Sequence, residues 1–458
     1  MEKFLPQSAP RAQRFTNFFT LRLRHPLRLI FLATQVLAWS VLGVAQQPLL
    51  TRDEAVKLAL AQASNFQQAQ LTEQLAAEDV KQARAAFKPL VTANPAVTYN
   101  SPTFARQPPG IPRPPSFLGA NAITEYQGLV TLSGEWDTSG KLKAVLRRNQ
   151  ALLQAAQAGK ETARRALAEA TDEAYYGLAL TTARRNTAEE TLRLTEEFAR
   201  FTKLLVDGGE VAPLDLLRAE LQITTRRDEL EQARANEKAA ADVLRALVSY
   251  AFAQAIAVNE LLTAMPEDGE LARFTAAAVA QRPELAQLLA EQRAAEAEIA
   301  VAQAERRAQI SYSVEGGFIA DALRPHPIAD TTGARATVSV SLPLFDSGAN
   351  RSRETQAALR ATAVASTRVM AERELARQFS TALAQANSAV VRMRLVAASI
   401  PNAERNVTVS MARYRAGEAQ IIEVTDAQNQ LVAQHGALLQ AVYDYQIAKA
   451  RLRQATGQ

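Results

Sequence analysis

The side chains best equipped for chemistry are few in this 458-residue chain, and they do not converge. His25 lies in a basic N-terminal stretch, His326 in a proline-containing loop and His435 within the last helix, so a metal-ligand cluster inside one chain is not expected. There is no cysteine, which excludes disulfides, thiolate metal sites, Fe–S clusters, a cysteine nucleophile and a lipidated N-terminal cysteine. The chain also lacks a Gly-x-x-x-x-Gly-Lys phosphate loop, a His-Glu-x-x-His zinc motif and a Gly-x-Ser-x-Gly nucleophile elbow. No catalytic, cofactor-binding or metal residue is nominated, and an enzyme is a distant reading.

Charge narrows the partners. The formal net charge is +5, but residues 1–45 carry Lys3, Arg11, Arg14, Arg22, Arg24 and Arg28 against Glu2 alone. Removing these six basic residues and one acidic residue from totals of 52 and 47 leaves 46 of each sign. A neutral, evenly mixed remainder is a solvated helix surface rather than a nucleic-acid face. The front segment reads as a signal peptide, 1–45: a basic run from Arg22 to Arg28, an apolar run from Leu29 to Ala45, and small residues Gly43 and Ala45 before the expected cut. An uncleaved anchor is the alternative, since the 17 residues 29–45 reach the short end of a bilayer span.

The elements that must position anything functional are duplicated. Gly140 and Gly348, and Gly209 and Gly417, are each 208 residues apart, and at the same offset Leu216, Ala219, Ile223 and Leu230 fall on Val424, Ala427, Leu431 and Leu438. Steps of three and four make a heptad seam, the mark of helices packed at shallow angles. With 48% hydrophobic but only 6% aromatic residues, the core is thin-sided and alanine-rich.

Each half, 46–248 and 276–458, reads helix, strand, strand, long helix, helix, with 249–275 as the junction. In the first, a helix runs from the Thr51–Asp53 caps to about Phe87, and strands follow at about 91–100 and 125–136 around a Pro-rich loop from Ser101 to Ser116. In the second, a helix over Pro283–Arg307 leads to strands at about 310–319 and 335–345, separated by a loop with Pro325 and Pro327. The 67 proline-free residues 141–207 form a helix about 100 Å long if unbroken. Pro401 should kink its counterpart or mark its last turns. Each strand has one apolar face and one face of Ser, Thr, Glu and Gln, as an outer-membrane barrel wall does. Four strands cannot close a barrel, so two chains would give eight strands and three would give twelve. Two soluble hairpins packed on a protein core are the alternative.

Tyr414-Arg415-Ala416-Gly417, then Val424, Asp426-Ala427-Gln428 and Leu431, through Tyr443, Ala448, Leu452 and Gly457, are similar to the final hairpin of the TolC-like outer membrane efflux protein family. Leu342-Pro343-Leu344-Phe345-Asp346-Ser347-Gly348 resembles that family's strand-to-helix turn. The resemblance spans 46–458. It implies a mainly α fold with a β-barrel part: a homotrimeric, twelve-stranded outer-membrane barrel continued by a long α-helical periplasmic tunnel. It implies a passive duct of a tripartite efflux or type I secretion system, in the cell outer membrane and its lipid, meeting a periplasmic adaptor and an inner-membrane pump of RND or ABC type, with no cofactor and no nucleic acid.

By position, the resemblance makes Glu423 and Asp426 the pore constriction, Asp215 and Tyr414 the gate hydrogen bonds, and Gly208, Gly209 and Gly417 the periplasmic tip turns. Three copies of an acidic ring would favour cations through focused negative potential. Glu423 stands where the family usually has aspartate. Glu423 and Asp215 also suit the first turn of any helix, where carboxylates complement the dipole. The usual basic partner position is Ala419, so Arg413 or Arg415 would have to substitute. The competing function is a periplasmic coiled-coil adaptor or scaffold anchored by an uncleaved 29–45, which would show one helical hairpin flanked by compact β domains.

Overall fold

Each of the two longest helices starts from an aspartate-containing turn. Asp137 accepts from the Leu142 and Lys143 N–H groups at 2.8 and 3.1 Å, and Asp346 accepts from Gly348 and Asn350, both at 2.9 Å. These carboxylates satisfy amides that have no partner inside the helix and complement its dipole. The same bonds hold the Asp346 carboxyl below the usual range. Gly140 and Gly348, the N-caps, have φ of 81° and 87°, where a Cβ would be penalised.

The computed structural model describes residues 49–456 except 63, 102–123, 260–264 and 268. The expected signal peptide and nearly all of the Pro-rich stretch after Ser101 lie outside the described residues. The elements are α1 (Arg52–Ala61), α2 (Asn65–Ala85), β1 (Leu90–Tyr99), β2 (Thr124–Trp136), α3 (Lys141–Asp207), α4 (Pro213–Val248), α5 (Pro283–Glu305), β3 (Gln309–Ala320), α6 (Pro325–Asp330), β4 (Thr332–Ser341), α7 (Ala349–Arg415) and α8 (Ile421–Thr456). Helices α3 and α7 both have 67 residues and α4 and α8 both have 36, and each pair starts and ends 208 residues apart.

Helix α3 returns along α4 and α7 along α8, giving two hairpins that meet through α3 and α8, while α5 packs on both α3 and α7. The seam positions Leu216, Ala219, Ile223 and Leu230 on α4, and Val424, Ala427, Leu431 and Leu438 on α8, are all buried or half-buried. The cores are small and alanine-rich. One joins Phe379, Ala382 and Ala386 of α7 to Ala448 and Leu452 of α8, over Phe274 of the connecting segment and Val279 just after it. The strands form one antiparallel sheet in the order β1-β2-β3-β4, which leaves the outer edges of β1 and β4 unpaired among the described residues.

Three expectations change. The helix expected from Thr51 to Phe87 is two helices, because Gln62 and Ser64 both adopt extended backbone. The loop at Pro325 and Pro327 contains a helical turn, α6, with Pro325 at its first position, where its missing N–H costs nothing. Strand β4 ends at Ser341, so 342–345 lie beyond it, with Leu344 and Phe345 exposed. Pro401 lies inside its helix, which runs on to Arg415.

The connecting segment is pinned by charge. Tyr445 of α8 donates to Glu270 Oε2 at 2.6 Å, and Lys449 pairs with the same carboxylate. Burial pushes the Glu270 pKa up, but the Lys449 and Tyr445 hydrogen bonds outweigh it and leave it below the ordinary 4.5. A depressed folded value means that this stabilisation is full above pH 4.5 and fades as pH falls through the folded value. Tyr445→Phe keeps the ring and deletes the bond, so it should cost about 1 kcal/mol and raise proteolysis within 249–275. Unchanged cleavage kinetics would refute the pin.

Candidate functional site

The sheet sorts its side chains cleanly. Directly opposed residues share a face, and the register sets Val91 against Leu132, Leu132 against Val314, Trp136 against Ile310, and Tyr312 against Val338. Most apolar positions of the four strands therefore lie on one face, with Leu90, Leu129 and Ile319 on the other. On the other, Thr92 opposes Thr131, Ser133 opposes Ser313, and Glu315 opposes Arg335, with which it forms a 2.5 Å ion pair. Much of the apolar face is exposed in the single chain, including Val91, Val97, Tyr99, Val338 and Val340. Glycines make room for large neighbours: a Cβ on Gly128 would sit 2.7 Å from the Phe318 ring, and one on Gly134 2.5 Å from the Tyr312 hydroxyl. No described helix is long and apolar enough to cross a membrane.

The two hairpin turns are closed alike. Glu210 N–H donates to Leu205 O and Glu418 N–H to Arg413 O, both at 2.9 Å, while Gly209 N–H reaches Val206 O at 3.0 Å and Gly417 N–H reaches Tyr414 O at 3.1 Å. These are Schellman closures with glycine in the left-handed position, φ 75° and 72°. Gly208 is different. Its φ is −80°, and Ala416 occupies the corresponding place in the second turn, so that conformation does not require glycine.

Asp215 and Tyr414 are brought together across the two hairpins. The Tyr414 hydroxyl lies 3.5 Å from Asp215 Oδ2, at the outer limit of a hydrogen bond, and the ring is 1% exposed against Phe198 at 5.6 Å. Burial raises the Tyr414 pKa, and the Asp215 charge adds to the rise against a lowering hydrogen bond with Thr202. The hydroxyl is therefore protonated at neutral pH and able to donate. Within the chain, neither Arg413 nor Arg415 reaches Asp215. Arg413 bonds Glu423 Oε2 at 2.9 Å and the Glu418 carbonyl at 3.3 Å, and Arg415 lies over the Phe201 ring at 5.1 Å. The cation nearest Asp215 is Arg218, one turn along α4 at 3.8 Å, and the i,i+3 spacing could have revealed it. Ala419 packs against the apolar cluster at the turns.

Glu423 and Asp426 are both exposed, one turn apart at the start of α8. They are not equivalent, because Arg413 neutralises Glu423 while no described residue forms a salt bridge with Asp426. His326 pairs with Asp330 at 2.8 Å on exposed α6, and His435 lines a cavity between α3, α7 and α8. No group of three metal-ligating side chains occurs among the described residues.

Two paired long hairpins, a four-stranded sheet with one exposed apolar face, and acidic residues at the turn end define a channel-type fold. The profile of the family described as Outer membrane efflux protein matches residues 55–249 and 275–458, and the chain belongs to that family. No curated protein sequence is significantly similar to it. Among solved structures, the Campylobacter jejuni CmeC outer membrane channel superposes with a TM-score of 0.79 at 17% identity, covering 89% of this chain and 85% of that one. CusC gives 0.77 at 20% identity over 88% and 91%, and VceC from Vibrio cholerae gives 0.77 at 18% identity over 89% and 96%. The chain is an outer-membrane efflux channel protein.

Proposed function

We propose that three copies of this chain form a passive duct, a twelve-stranded barrel in the outer membrane continued by a helical tunnel into the periplasm, which receives substrate from a periplasmic adaptor and an inner-membrane pump. The observation that carries this reading is the sheet. Its apolar face is exposed and the outer edges of β1 and β4 are unpaired among the described residues, which lipid does not tolerate unless neighbouring copies close the ring. Exposed Leu204, Leu217 and Leu221 on the helical hairpins supply further apolar surface for neighbouring copies. The repeats 46–248 and 276–458 about the junction 249–275, and removal of 1–45, belong to the same proposal. The shared 208-residue spacing of helix ends supports the duplication. Family membership favours the duct over the adaptor or scaffold, as does the presence of two long hairpins instead of one.

In this reading the turn end is the entrance, Asp215–Tyr414 keeps it closed, and Glu423 with Asp426 rings the opening. The test is single-channel conductance of the purified mature protein in a planar bilayer. The parent should give a small, cation-selective conductance, and Glu423→Ala plus Asp426→Ala should enlarge it and remove the selectivity. Tyr414→Phe deletes the bond to Asp215 across the hairpins, about 1 kcal/mol, and should raise open occupancy roughly fivefold. Correctly inserted trimers without a channel would overturn the duct. Unchanged conductance in both Tyr414→Phe and Asp215→Ala would remove that pair from the gate.

A further inference from the structure

Arg226 on α4 lies eleven residues past Asp215 and takes no part in the closure described so far. Its side chain is only 7% exposed. One terminal nitrogen donates to Glu229 Oε2 at 2.7 Å, the other to the side-chain oxygen of Asn429 on α8, and Nε is buried without an acceptor among the described residues. Asn429 Oδ1 also lies 3.4 Å from Gln222 Nε2. The contact thus joins the same two hairpins as Asp215–Tyr414, but as a buried, permanently charged guanidinium held across the gap by a neutral amide.

We propose that Arg226 and Asn429 form a second tier of contact between the two hairpins, in which Arg226 acts as a positioning residue whose buried charge biases the hairpins to part. The inference rests on the reading of Asp215–Tyr414 as a closure. Its physical content is an asymmetry. While the hairpins are together, the cation forgoes full hydration and leaves one N–H unpaired; when they part, water and Glu229 satisfy it. A buried charge with an incomplete partner set is often replaced by an apolar side chain without loss, whereas deleting its acceptor is costly. The two partners should therefore act with opposite signs, which an ordinary hydrogen bond would not do.

Because the chain has no cysteine, cysteines introduced at exposed Asp228 of α4 and Ala433 of α8 are the only sites for paired spin labels. The inter-hairpin distance distribution of the mature trimer in detergent then reads the separated fraction without reference to conductance. Asn429→Ala should raise the separated-to-closed ratio roughly tenfold. Arg226→Met should lower it about threefold, and the double variant should return to the parent ratio or below. Should Arg226→Met not fold, Arg226→Gln removes the same charge and should also lower the ratio. A distribution that no variant moves, or that both single variants move in the same direction, overturns the inference. Failure of the closure reading shows separately, as unchanged conductance in Tyr414→Phe and Asp215→Ala.

Discussion

Gly317→Ala should abolish assembly of the sheet, while the same change at the neighbouring Gly316 should be nearly silent. Gly317 has φ of 149°, a backbone region that L-residues rarely adopt. A Cβ built there would lie 2.0 Å from the Gly128 carbonyl oxygen and 3.0 Å from Leu129 Cα, both backbone atoms of the paired strand. Backbone cannot rotate aside as a side chain can, so β2 and β3 would have to separate. Strain and overpacking together cost on the order of 3 kcal/mol or more, and they fall on the pairing that joins the strands of the first half to those of the second. At Gly316 the nearest atom is the Gly333 carbonyl oxygen at 3.9 Å, an ordinary contact. The measurement is the yield of membrane-inserted, heat-modifiable oligomer on gels, with a drop of at least tenfold expected for Gly317→Ala. Equal yields for the two variants would show that the close approach carries no weight in assembly.

The contrast between these two glycines marks where sequence reading runs out. Alternation makes the strands and their apolar faces legible, because a period of two carries directly into register: Val91, Leu132 and Val314 read as apolar-face residues and meet on one face. The heptad steps likewise place Ala219 and Val424 at buried positions, and glycine spacing locates both hairpin turns. Which of two adjacent glycines meets a carbonyl depends on a strand almost two hundred residues away. The break at Gln62–Ser64 has neither glycine nor proline to announce it. Among the turn-end residues, the chain brings Asp215 and Tyr414 together, while within it neither Arg413 nor Arg415 contacts Asp215. Arg413 is drawn to Glu423 by the geometry of the turn, and only the folded chain displays that choice.

Asp172→Ala should be the most destabilising single change in the helical part. Arg52, in the first turn of α1, grips this carboxylate in a two-pronged fork, Nε to Oδ1 and Nη2 to Oδ2, both at 2.6 Å. Asp172 is 3% exposed, and its hydrogen bond is the main reason that the Arg52 pKa is raised. Close by, the Tyr175 hydroxyl donates to Leu50 O at 3.1 Å and accepts from Asn259 N–H at 3.2 Å, while Leu50 N–H reaches Ala257 O at 2.9 Å. The fork therefore anchors α1 where the chain entering it and the segment after α4 both meet α3. Truncating Asp172 leaves a partly buried guanidinium facing only Asp53, which is largely exposed. Losing one member of a buried pair costs about 3 to 5 kcal/mol, and the remaining exposure of Arg52 sets the lower end, about 3 kcal/mol. The exposed Glu190–Arg193 pair should give almost nothing when it is broken, since solvent already screens it. Removing both charges in Arg52→Met plus Asp172→Leu should recover most of the loss, because the penalty lies in the orphaned cation. Denaturant midpoints of the four proteins decide the point: a double variant as unstable as Asp172→Ala would mean that shape at this joint, rather than charge, holds α1 to α3.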